Sequence, residues 1–248
     1  MKKLISAFTG LVLLGSAGAA HAAGDVTPPR KMDWQHTGIF GTYDRAAVQR
    51  GLVVYKEVCA ACHGLKYVAF RSLTEIGLTP DEVKAFAREY DIEDGPDDQG
   101  DMFERKGKPS DYFPSPYANA QAAMASNSGK EPPDLSLIVK ARPGHENYIY
   151  SLLTGYKEGD EDGLSLNDYF PGGKIAMAPP LSDEIVEYPD GTKASVDQMA
   201  RDVTQFLAWA SEPTLEQRKS IGVKVMLFLA VFFVLAYAVK RKVWADAH

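Results

Sequence analysis

The sequence predicts a mainly α-helical fold with long loops and one C-terminal transmembrane helix. Apolar residues recur at helical spacing in several separate segments, as they do in helices that bury one face. Stretches rich in glycine and proline separate these segments and predict long irregular loops. Near the C-terminus, residues 221–239 are apolar apart from Lys224, and a helix of this length spans about 28 Å. That length matches the hydrocarbon core of one bilayer.

Composition limits the class of protein. The chain has 248 residues, of which 45% are apolar and 24% charged, so it is long enough to bury one good core or two modest ones. Its 27 basic and 33 acidic residues give a formal net charge of −6. A negative chain is a poor ligand for nucleic acid, and a basic protein is the partner that this charge favours.

The N-terminus has the pattern of a secretory signal. Lys2 and Lys3 precede an apolar run over residues 4–14, and an A-x-A cleavage site follows at residues 20–22. We expect cleavage after Ala22, which removes both lysines and leaves a net charge of −8. An uncleaved anchor is the alternative. The predicted organisation is a bacterial signal peptide over residues 1–22, an exported domain over residues 23–213, and a membrane anchor with a short tail over residues 214–248.

An irregular arm and a helix precede the main motif. Residues 23–43 are rich in glycine and proline and predict an arm that packs on the domain through Trp34 and Phe40. A helix is predicted to begin at Asp44, a typical N-cap residue, and to lead directly into Cys59. Its predicted buried face consists of Val48, Leu52, Tyr55 and Val58.

Residues 59–63 have the sequence Cys-Ala-Ala-Cys-His, the C-x-x-C-H signature of covalent haem attachment. The thiols of Cys59 and Cys62 lie on one turn and can each bond a porphyrin vinyl group, while His63 can bind the iron. A chance match or a thiol redox pair are the alternatives. A redox pair of the thioredoxin type follows a buried strand, whereas a helix is predicted here, and the chain has no other cysteine.

Met177 is the predicted sixth iron ligand. It lies within residues 170–180, whose glycine and proline content predicts neither helix nor strand but a rigid loop that can hold one side chain over a ring. Ligation by histidine and methionine is typical of cytochromes c and raises the reduction potential. His36 and His145 are the alternative ligands.

Residues 81–101 are strongly acidic. A helix is predicted to begin after Thr79, with Pro80 at its first position, and to end near Tyr90. This stretch is either a solvated loop or a surface that attracts a basic electron carrier, because charge of one sign accelerates encounter. The carboxylates are those of Asp81, Glu82, Glu89, Asp91, Glu93, Asp94, Asp97, Asp98 and Asp101, with a second cluster at Glu158, Asp160, Glu161 and Asp162.

The remaining helices are predicted from spacing and capping residues. Lys240, Arg241 and Lys242 follow the apolar run and mark its cytoplasmic end, and Lys224 can extend its amine to the opposite surface. A buried core helix is the alternative to a membrane span. The other helical segments are residues 118–126, residues 135–139, residues 148–153 ended by Gly155, residues 195–210 capped by Ser195 and Gln198, and the last helix, opened by Thr214 and Gln217 after Pro213.

Several motifs together resemble the cytochrome c1 family, the haem subunits of quinol:cytochrome c oxidoreductase (bc1) complexes. The resemblance covers nearly the whole chain after the signal. It implies a cytochrome c-like haem domain with one covalently bound haem c. The motifs are residues 34–41, residues 59–63 with 67–71, Pro-Pro-Asp-Leu-Ser at 132–136, Ser-Leu-Leu-Thr-Gly-Tyr at 151–156, and Tyr-Phe-Pro-Gly at 169–172 leading to Met-Ala-Pro-Pro at 177–180.

The resemblance also implies roles for individual residues. Cys59 and Cys62 would carry the haem, His63 and Met177 would bind the iron, and Arg142 and Tyr148 would contact the haem propionates. An arginine suits a carboxylate because it forms paired charge-assisted hydrogen bonds. The carbonyls of Pro132 and Pro133 are the expected acceptors for the far ring N–H of His63. With both cysteines committed to haem, no disulfide is possible, and packing alone is expected to hold the haem loop.

The implied function is electron transfer in a bacterial inner membrane, with the haem domain in the periplasm and the C-terminus in the cytoplasm. The chain would accept electrons from a Rieske iron–sulfur protein, next to cytochrome b, and pass them to a mobile cytochrome c in a respiratory or photosynthetic chain. It would make and break no bond itself. The alternatives are a haem enzyme such as a peroxidase, with an open sixth position, and a haem subunit of a terminal oxidase or dehydrogenase.

Overall fold

The computed structural model describes residues 27–245, and the predicted signal peptide lies outside them. The described chain is mainly helical, as predicted, with two small antiparallel sheets. The helices are α1 (Arg45–Glu57), α2 (Pro80–Ala87), α3 (Ala120–Ser126), α4 (Ile138–Ala141), α5 (His145–Thr154), α6 (Val196–Ser211) and α7 (Leu215–Val243), with 3-10 turns at Cys59–Ala61 and Phe70–Ile76. The strands are β1 (Asp91–Asp94), β2 (Phe103–Lys106), β3 (Tyr156–Glu161), β4 (Leu164–Asn167) and β5 (Lys174–Ile175).

Helices α1 and α6 form the centre of the core. Gly51 allows their backbones to approach, because a Cβ atom there would lie 2.1 Å from the carbonyl oxygen of Asp202. The ring of Tyr55 on α1 lies 5.6 Å from that of Phe206 on α6, measured between centroids. The predicted apolar faces are therefore confirmed. The buried side chains include Val48, Leu52 and Val54 of α1 and Met199, Val203 and Leu207 of α6.

One charged pair lies inside this helix interface. Asp202 is 0% exposed and accepts two hydrogen bonds from the guanidinium of Arg50, at 2.9 and 3.1 Å. The Gln198 amide donates a third, at 3.0 Å. A buried carboxylate is stable only when its oxygens are satisfied in this way. The apolar spacing of α6 does not include position 202 in its buried face, so the burial of Asp202 was not predicted.

Helix caps explain several of the boundaries. The Asp44 side chain accepts a hydrogen bond from the Ala47 amide and begins α1 as predicted, and Ser195 caps α6 through the Gln198 amide. Thr79 and Glu82 form a full capping box at α2. The predicted cap at Thr214 is wrong, since its side chain makes no capping hydrogen bond. Helix α7 is held to the domain by other contacts instead.

The two sheets were not predicted from the sequence. Strands β1 and β2 pair in the acidic stretch, with Asp91 opposite Lys106 and Glu93 opposite Glu104, so that stretch is largely a hairpin. Strand β5 corrects the prediction of neither helix nor strand for residues 170–180. The turn at residues 171–173 reverses the chain, so that Lys174–Ile175 pairs with β4, and Asn167 donates its amide to the Gly173 carbonyl at 2.9 Å.

The arm, residues 27–44, is irregular as predicted and lies along α5. The indole of Trp34 is buried and donates to the Asn147 side chain at 2.9 Å, and the same oxygen accepts the Met32 amide at 3.0 Å. The Arg30 amide donates to the Ser151 hydroxyl at 2.8 Å. The prediction that Phe40 anchors the arm is wrong, because its side chain is 84% exposed. Phe40 lies instead at the tip of a turn beside α7.

Helix α7 has the length and composition to cross a membrane. It is 29 residues long, and its most apolar window has a mean hydropathy of 2.4 with no residue buried against the rest of the chain. Its first turns contact the arm. The Glu216 carboxylate accepts the Tyr43 amide and the Arg45 guanidinium at 2.8 Å, and the Lys219 amine donates to the carbonyl of Gly41 at 3.0 Å.

These contacts determine where the chain can be shortened. Ending it after Ser220 removes the apolar span but keeps the arm contacts and the buried side chain of Leu215. We expect this variant to be soluble without detergent after ultracentrifugation. Ending the chain after Ser211 also removes Leu215 and Glu216, and we expect it to be soluble but less stable by about 2 kcal/mol, the contribution of one buried leucine side chain.

The measurements are the soluble fraction and the free energy of unfolding of both variants. A Ser220-terminated variant that still sediments with membranes after a salt wash would show that residues 1–22 remain attached or that another surface binds lipid. Equal stability of the two variants would contradict the structural role of the first turn of α7.

Candidate haem site

The C-x-x-C-H motif forms one turn at the end of α1. The amides of Cys62 and His63 both donate to the Cys59 carbonyl, at 3.1 and 2.9 Å, which places the two thiols and the imidazole around a single turn. Both thiols are free and half-buried. Burial raises the pKa of the Cys59 thiol to about 12, and the neighbouring Cys62 adds to the effect. A thiol redox pair needs a lowered thiol pKa, so this environment disfavours that alternative.

The His63 ring is fixed by the Pro133 carbonyl. Its Nδ1 atom lies 2.7 Å from the Pro133 oxygen, the hydrogen bond that was expected from the sequence. A carbonyl can only accept, so Nδ1 carries the proton and Nε2 keeps its lone pair. Burial lowers the pKa of His63, and the Pro133 carbonyl and the Asp134 carboxylate only partly oppose this shift. The imidazole is therefore neutral at pH 7, the form that binds a metal through nitrogen.

Tyr55 fixes the main chain of the same residue. Its hydroxyl, on the last turn of α1, donates to the His63 carbonyl at 3.0 Å. Burial raises the pKa of Tyr55, so the hydroxyl stays protonated and remains a donor at neutral pH. The sequence identified Tyr55 as a core residue only. The one sequence signal for this contact is the spacing, because Tyr55 lies eight residues, about two helical turns, before His63.

The haem loop is held by hydrogen bonds as well as by packing, which corrects the expectation of packing alone. The Asp134 carboxylate accepts the Lys66 amide at 3.0 Å and the Ser136 amide at 2.9 Å. The Ser136 hydroxyl accepts the Tyr67 amide at 3.1 Å, and the Leu135 amide donates to the Gly64 carbonyl at 2.8 Å. Asp134 therefore joins the loop after His63 to the segment that supplies the Pro133 acceptor.

A second group of residues surrounds the start of β3. Burial raises the pKa of the Tyr148 hydroxyl, and the charge of Arg142 opposes that shift. Burial also raises the pKa of Tyr156, and Tyr148 adds to it. The Tyr156 hydroxyl donates to the Met177 carbonyl at 3.1 Å. Tyr156 was quoted from the sequence only within a motif, yet its hydroxyl contacts the main chain of the predicted iron ligand.

The alternative sixth ligands have other contacts. His36 is buried, its ring lies 5.0 Å from that of Tyr43, and its Nε2 atom lies 2.9 Å from the Glu146 carboxylate. The His145 Nδ1 atom lies 3.2 Å from the Val139 carbonyl. Met177 is half-buried in an irregular segment that follows β5. The contact with Glu146 engages the Nε2 atom of His36 and disfavours His36 as an iron ligand.

The residues present fit a covalently bound haem. Two free thiols lie on one turn, and a neutral imidazole on the same turn keeps its Nε2 lone pair through the Pro133 hydrogen bond. A model of the Cytochrome C1 family matches residues 34–247, which include every residue of this site. The chain belongs to the cytochrome c1 family.

Individual relatives agree with this assignment. The chain is 48% identical to cytochrome c1 of Rhodospirillum rubrum, over 95% of this chain and 94% of that one. It is 47% identical to cytochrome b/c1 of Bradyrhizobium diazoefficiens, of which it covers 39%. It is 49% identical to the mitochondrial cytochrome b-c1 complex catalytic subunit of Candida albicans, over 92% of this chain and 82% of that one.

The clamp formed by Asp134 can be tested by amide hydrogen exchange. Replacing Asp134 with alanine removes the acceptor of the Lys66 and Ser136 amides, so we expect both amides to exchange about tenfold faster, the effect of losing a hydrogen bond to a charged group. The matched control is Asp183→Ala, because Asp183 accepts only the distant Val196 amide, at 2.8 Å. Unchanged exchange at Lys66 and Ser136 in Asp134→Ala would contradict the clamp.

Proposed function

We propose that the chain is the c-type haem subunit of a cytochrome bc1 complex and carries one covalent haem c. Cys59 and Cys62 form the thioether bonds, and His63 and Met177 bind the iron. The haem supplies a one-electron redox change when it is bound. The single observation that best supports this role is the hydrogen bond from His63 Nδ1 to the Pro133 carbonyl, which leaves Nε2 as the iron ligand.

The protein groups around the haem each have a separate task. The Pro133 carbonyl and the Tyr55 hydroxyl orient the axial imidazole, and a histidine with such a partner is also a more basic ligand. Arg142 and Tyr148 would bind the haem propionates, the arginine through a charge-assisted hydrogen bond and the tyrosine through its hydroxyl. Met177, as a thioether ligand, raises the reduction potential.

The relatives suggest the partners. The Bradyrhizobium diazoefficiens relative is named cytochrome b/c1, and the Candida albicans relative is named as a subunit of the cytochrome b-c1 complex. We infer that this chain associates with cytochrome b, accepts electrons from the Rieske iron–sulfur protein and passes them to a mobile cytochrome c. As part of that complex it would contribute to quinol:cytochrome c oxidoreductase activity without bond chemistry of its own.

Haem attachment and the basic end of α7 suggest an orientation. Residues 1–22 would direct export and be cleaved, and the haem domain over residues 23–213 would lie in the periplasm of a bacterial cell. Helix α7 would cross the inner membrane once, with residues 240–242 in the cytoplasm, because lysine and arginine are enriched on that side. A subunit of a terminal oxidase or dehydrogenase would share this layout, but family membership favours the bc1 complex.

Fewer carboxylates of the acidic stretch are free to attract cytochrome c than the sequence alone indicates. Three of its carboxylates form ion pairs, Glu89 with Lys56, Asp91 with Lys106, and Asp94 with Arg105, a guanidinium that it shares with Asp111. Asp97 accepts the hairpin amides of Gln99 and Asp101 at 2.8 and 3.0 Å. The carboxylates of Asp98 and Asp101, which form no ion pair among the described residues, remain for docking at the tip of the hairpin.

One further contact favours docking over a merely solvated hairpin. Glu93 and Glu104 lie directly opposite each other on β1 and β2. Like charges in this position destabilise a hairpin, by some tenths of a kcal/mol to about 1 kcal/mol. The pair therefore concentrates negative charge at a cost in stability, which a surface that steers a basic partner would explain.

The first test concerns the sixth ligand. Met177→Leu removes the thioether but keeps the side-chain volume, so we expect covalent haem to remain while the reduction potential falls, by on the order of 0.1 V within the ~0.8 V range that axial ligands span. The reduced protein should then bind CO. The control is Met102→Leu, an exposed methionine on the acidic hairpin. An unchanged potential with CO still excluded would point to His36 or His145. CO binding by the unsubstituted protein would favour a haem enzyme with an open position.

The second test concerns docking. Replacing Asp98 and Asp101 with asparagine should slow oxidation of the reduced protein by a basic cytochrome c roughly two- to fivefold at low salt. The dependence on ionic strength should flatten, because salt screens such fields over about 10 Å at 0.1 M. The matched control replaces the exposed residues Asp33 and Glu187 with Asn and Gln, which removes the same charge elsewhere. Equal salt slopes in stopped-flow measurements of wild type and the Asp98 and Asp101 variant would contradict docking at this hairpin, and an acidic acceptor should show no slowing.

A further inference from the structure

A groove of about 670 Å³ lies where the arm meets the first turns of α7. Ile39 of the arm forms one wall, and Gly222, Val223 and Met226 of α7 form the floor. Arg218 and Lys219 lie at the rim, one turn before the apolar span begins. The groove therefore crosses the boundary between the polar and the apolar part of the helix, and we call it the juxtamembrane groove.

The rim carries excess positive charge. The Arg218 guanidinium hydrogen-bonds the Glu212 carboxylate, which also accepts the Lys140 amine at 2.8 Å, so two cations share one anion. The Lys219 amine donates to the carbonyls of His36 and Gly41 at 2.6 and 3.0 Å, and these partners are neutral. On a chain with a net charge of −6, this is a local site for an anion.

The arm holds two apolar side chains beside the groove. Ile39 is 70% exposed and Phe40 is 84% exposed, although large apolar side chains normally avoid water. Their turn is well defined, because a Cβ atom at Gly41 would lie 2.0 Å from the Thr37 carbonyl oxygen, so only glycine closes it. Lys219 fixes the same turn to α7. The two side chains are thus positioned at the depth where the membrane span begins.

We propose that the juxtamembrane groove binds one anionic phospholipid. The phosphate would lie between Arg218 and Lys219, and one acyl chain would follow Gly222, Val223 and Met226 beneath Ile39. Gly222 favours this occupant, since a Cβ atom there would meet nothing within 4 Å, and the groove reaches the helix backbone. Basic residues at a membrane surface attract anionic lipids. The apolar floor of the groove begins directly after Arg218 and Lys219, where the acyl chain of a lipid bound there would begin. A partner protein's helix is the competing occupant.

The proposal rests on α7 crossing the membrane, and it is independent of the haem ligands. The full-length, haem-loaded chain is purified in detergent, delipidated and titrated with phosphatidylglycerol or phosphatidylcholine, with bound lipid counted by native mass spectrometry. We expect one phosphatidylglycerol to bind at least tenfold more tightly than phosphatidylcholine. Equal binding of the two lipids would overturn the proposal.

Two variants with matched controls locate the site. Gly222→Leu places a side chain in the open space of the groove and should weaken phosphatidylglycerol binding about tenfold, while Ala236→Leu, an exposed position lower on the same helix, should leave it unchanged. Arg218→Gln should weaken binding about fivefold, the contribution of one basic residue near an anionic lipid, and Arg241→Gln at the other end of α7 less than twofold. Unchanged binding in Gly222→Leu would overturn the proposal.

The competing occupant is tested in the native membrane complex. A photoreactive residue in place of Val223 should crosslink to phospholipid, and a crosslink to another polypeptide would overturn the proposal. Alkaline extraction of the membranes distinguishes a failure of the predicted membrane span from a failure of the proposed lipid site. Release of the full chain would contradict the membrane span itself, whereas retention of the chain with no effect of Gly222→Leu would contradict only the lipid site.

Discussion

The hydrogen bond between His63 and the Pro133 carbonyl joins segments that are 70 residues apart in the chain. One bond of this kind orients a ring only when both of its ends are held. The His63 end is held by the Cys59 carbonyl and the Tyr55 hydroxyl, and the Pro133 end by Asp134, which binds amides on both segments. The tautomer and direction of the imidazole therefore depend on main-chain acceptors that the side chains of Tyr55 and Asp134 hold in position.

This arrangement depends in turn on the packing of α1 against α6. Tyr55 reaches the His63 carbonyl from a helix whose position is set by Gly51, the buried pair of Arg50 and Asp202, and the contact with Phe206. The arm fixes the position of α5, the helix that carries Tyr148, through its hydrogen bonds to Asn147 and Ser151. The helix that carries Tyr55 and the helix that carries Tyr148 are thus each fixed by a separate part of the chain, and the loops between them are free to be irregular.

Sequence reasoning predicted the helices that have a regular apolar face and a cap, such as α1 and α6, because both signals are local. It also predicted the motif turn and the proline acceptor for His63. It missed the hairpin at residues 91–106, since a strand such as Asp91–Asp94 is polar on both faces and shows no apolar alternation.

Other features were missed because they depend on distant partners. The charge of Asp202 is tolerated only beside Arg50, and Tyr156 becomes part of the site only where the chain returns at Met177. Phe40 was predicted to anchor the arm because of its residue type, but its exposure is decided by the turn that Gly41 closes and by the position of α7. Residue types therefore predicted which residues belong to the site better than they predicted the contacts that bring those residues together.

The short junction between α6 and α7 also limits motion. Only three residues separate Ser211 from Leu215, and the first turn of α7 is tied back to the arm through Glu216 and Lys219. The described chain has no flexible tether at this junction, so if α7 crosses a membrane, the helix itself sets the height and tilt of the domain above the bilayer. If electrons are to cross a gap on either side of the haem, the distance must be closed by diffusion of the donor or the acceptor, while this chain stays in place.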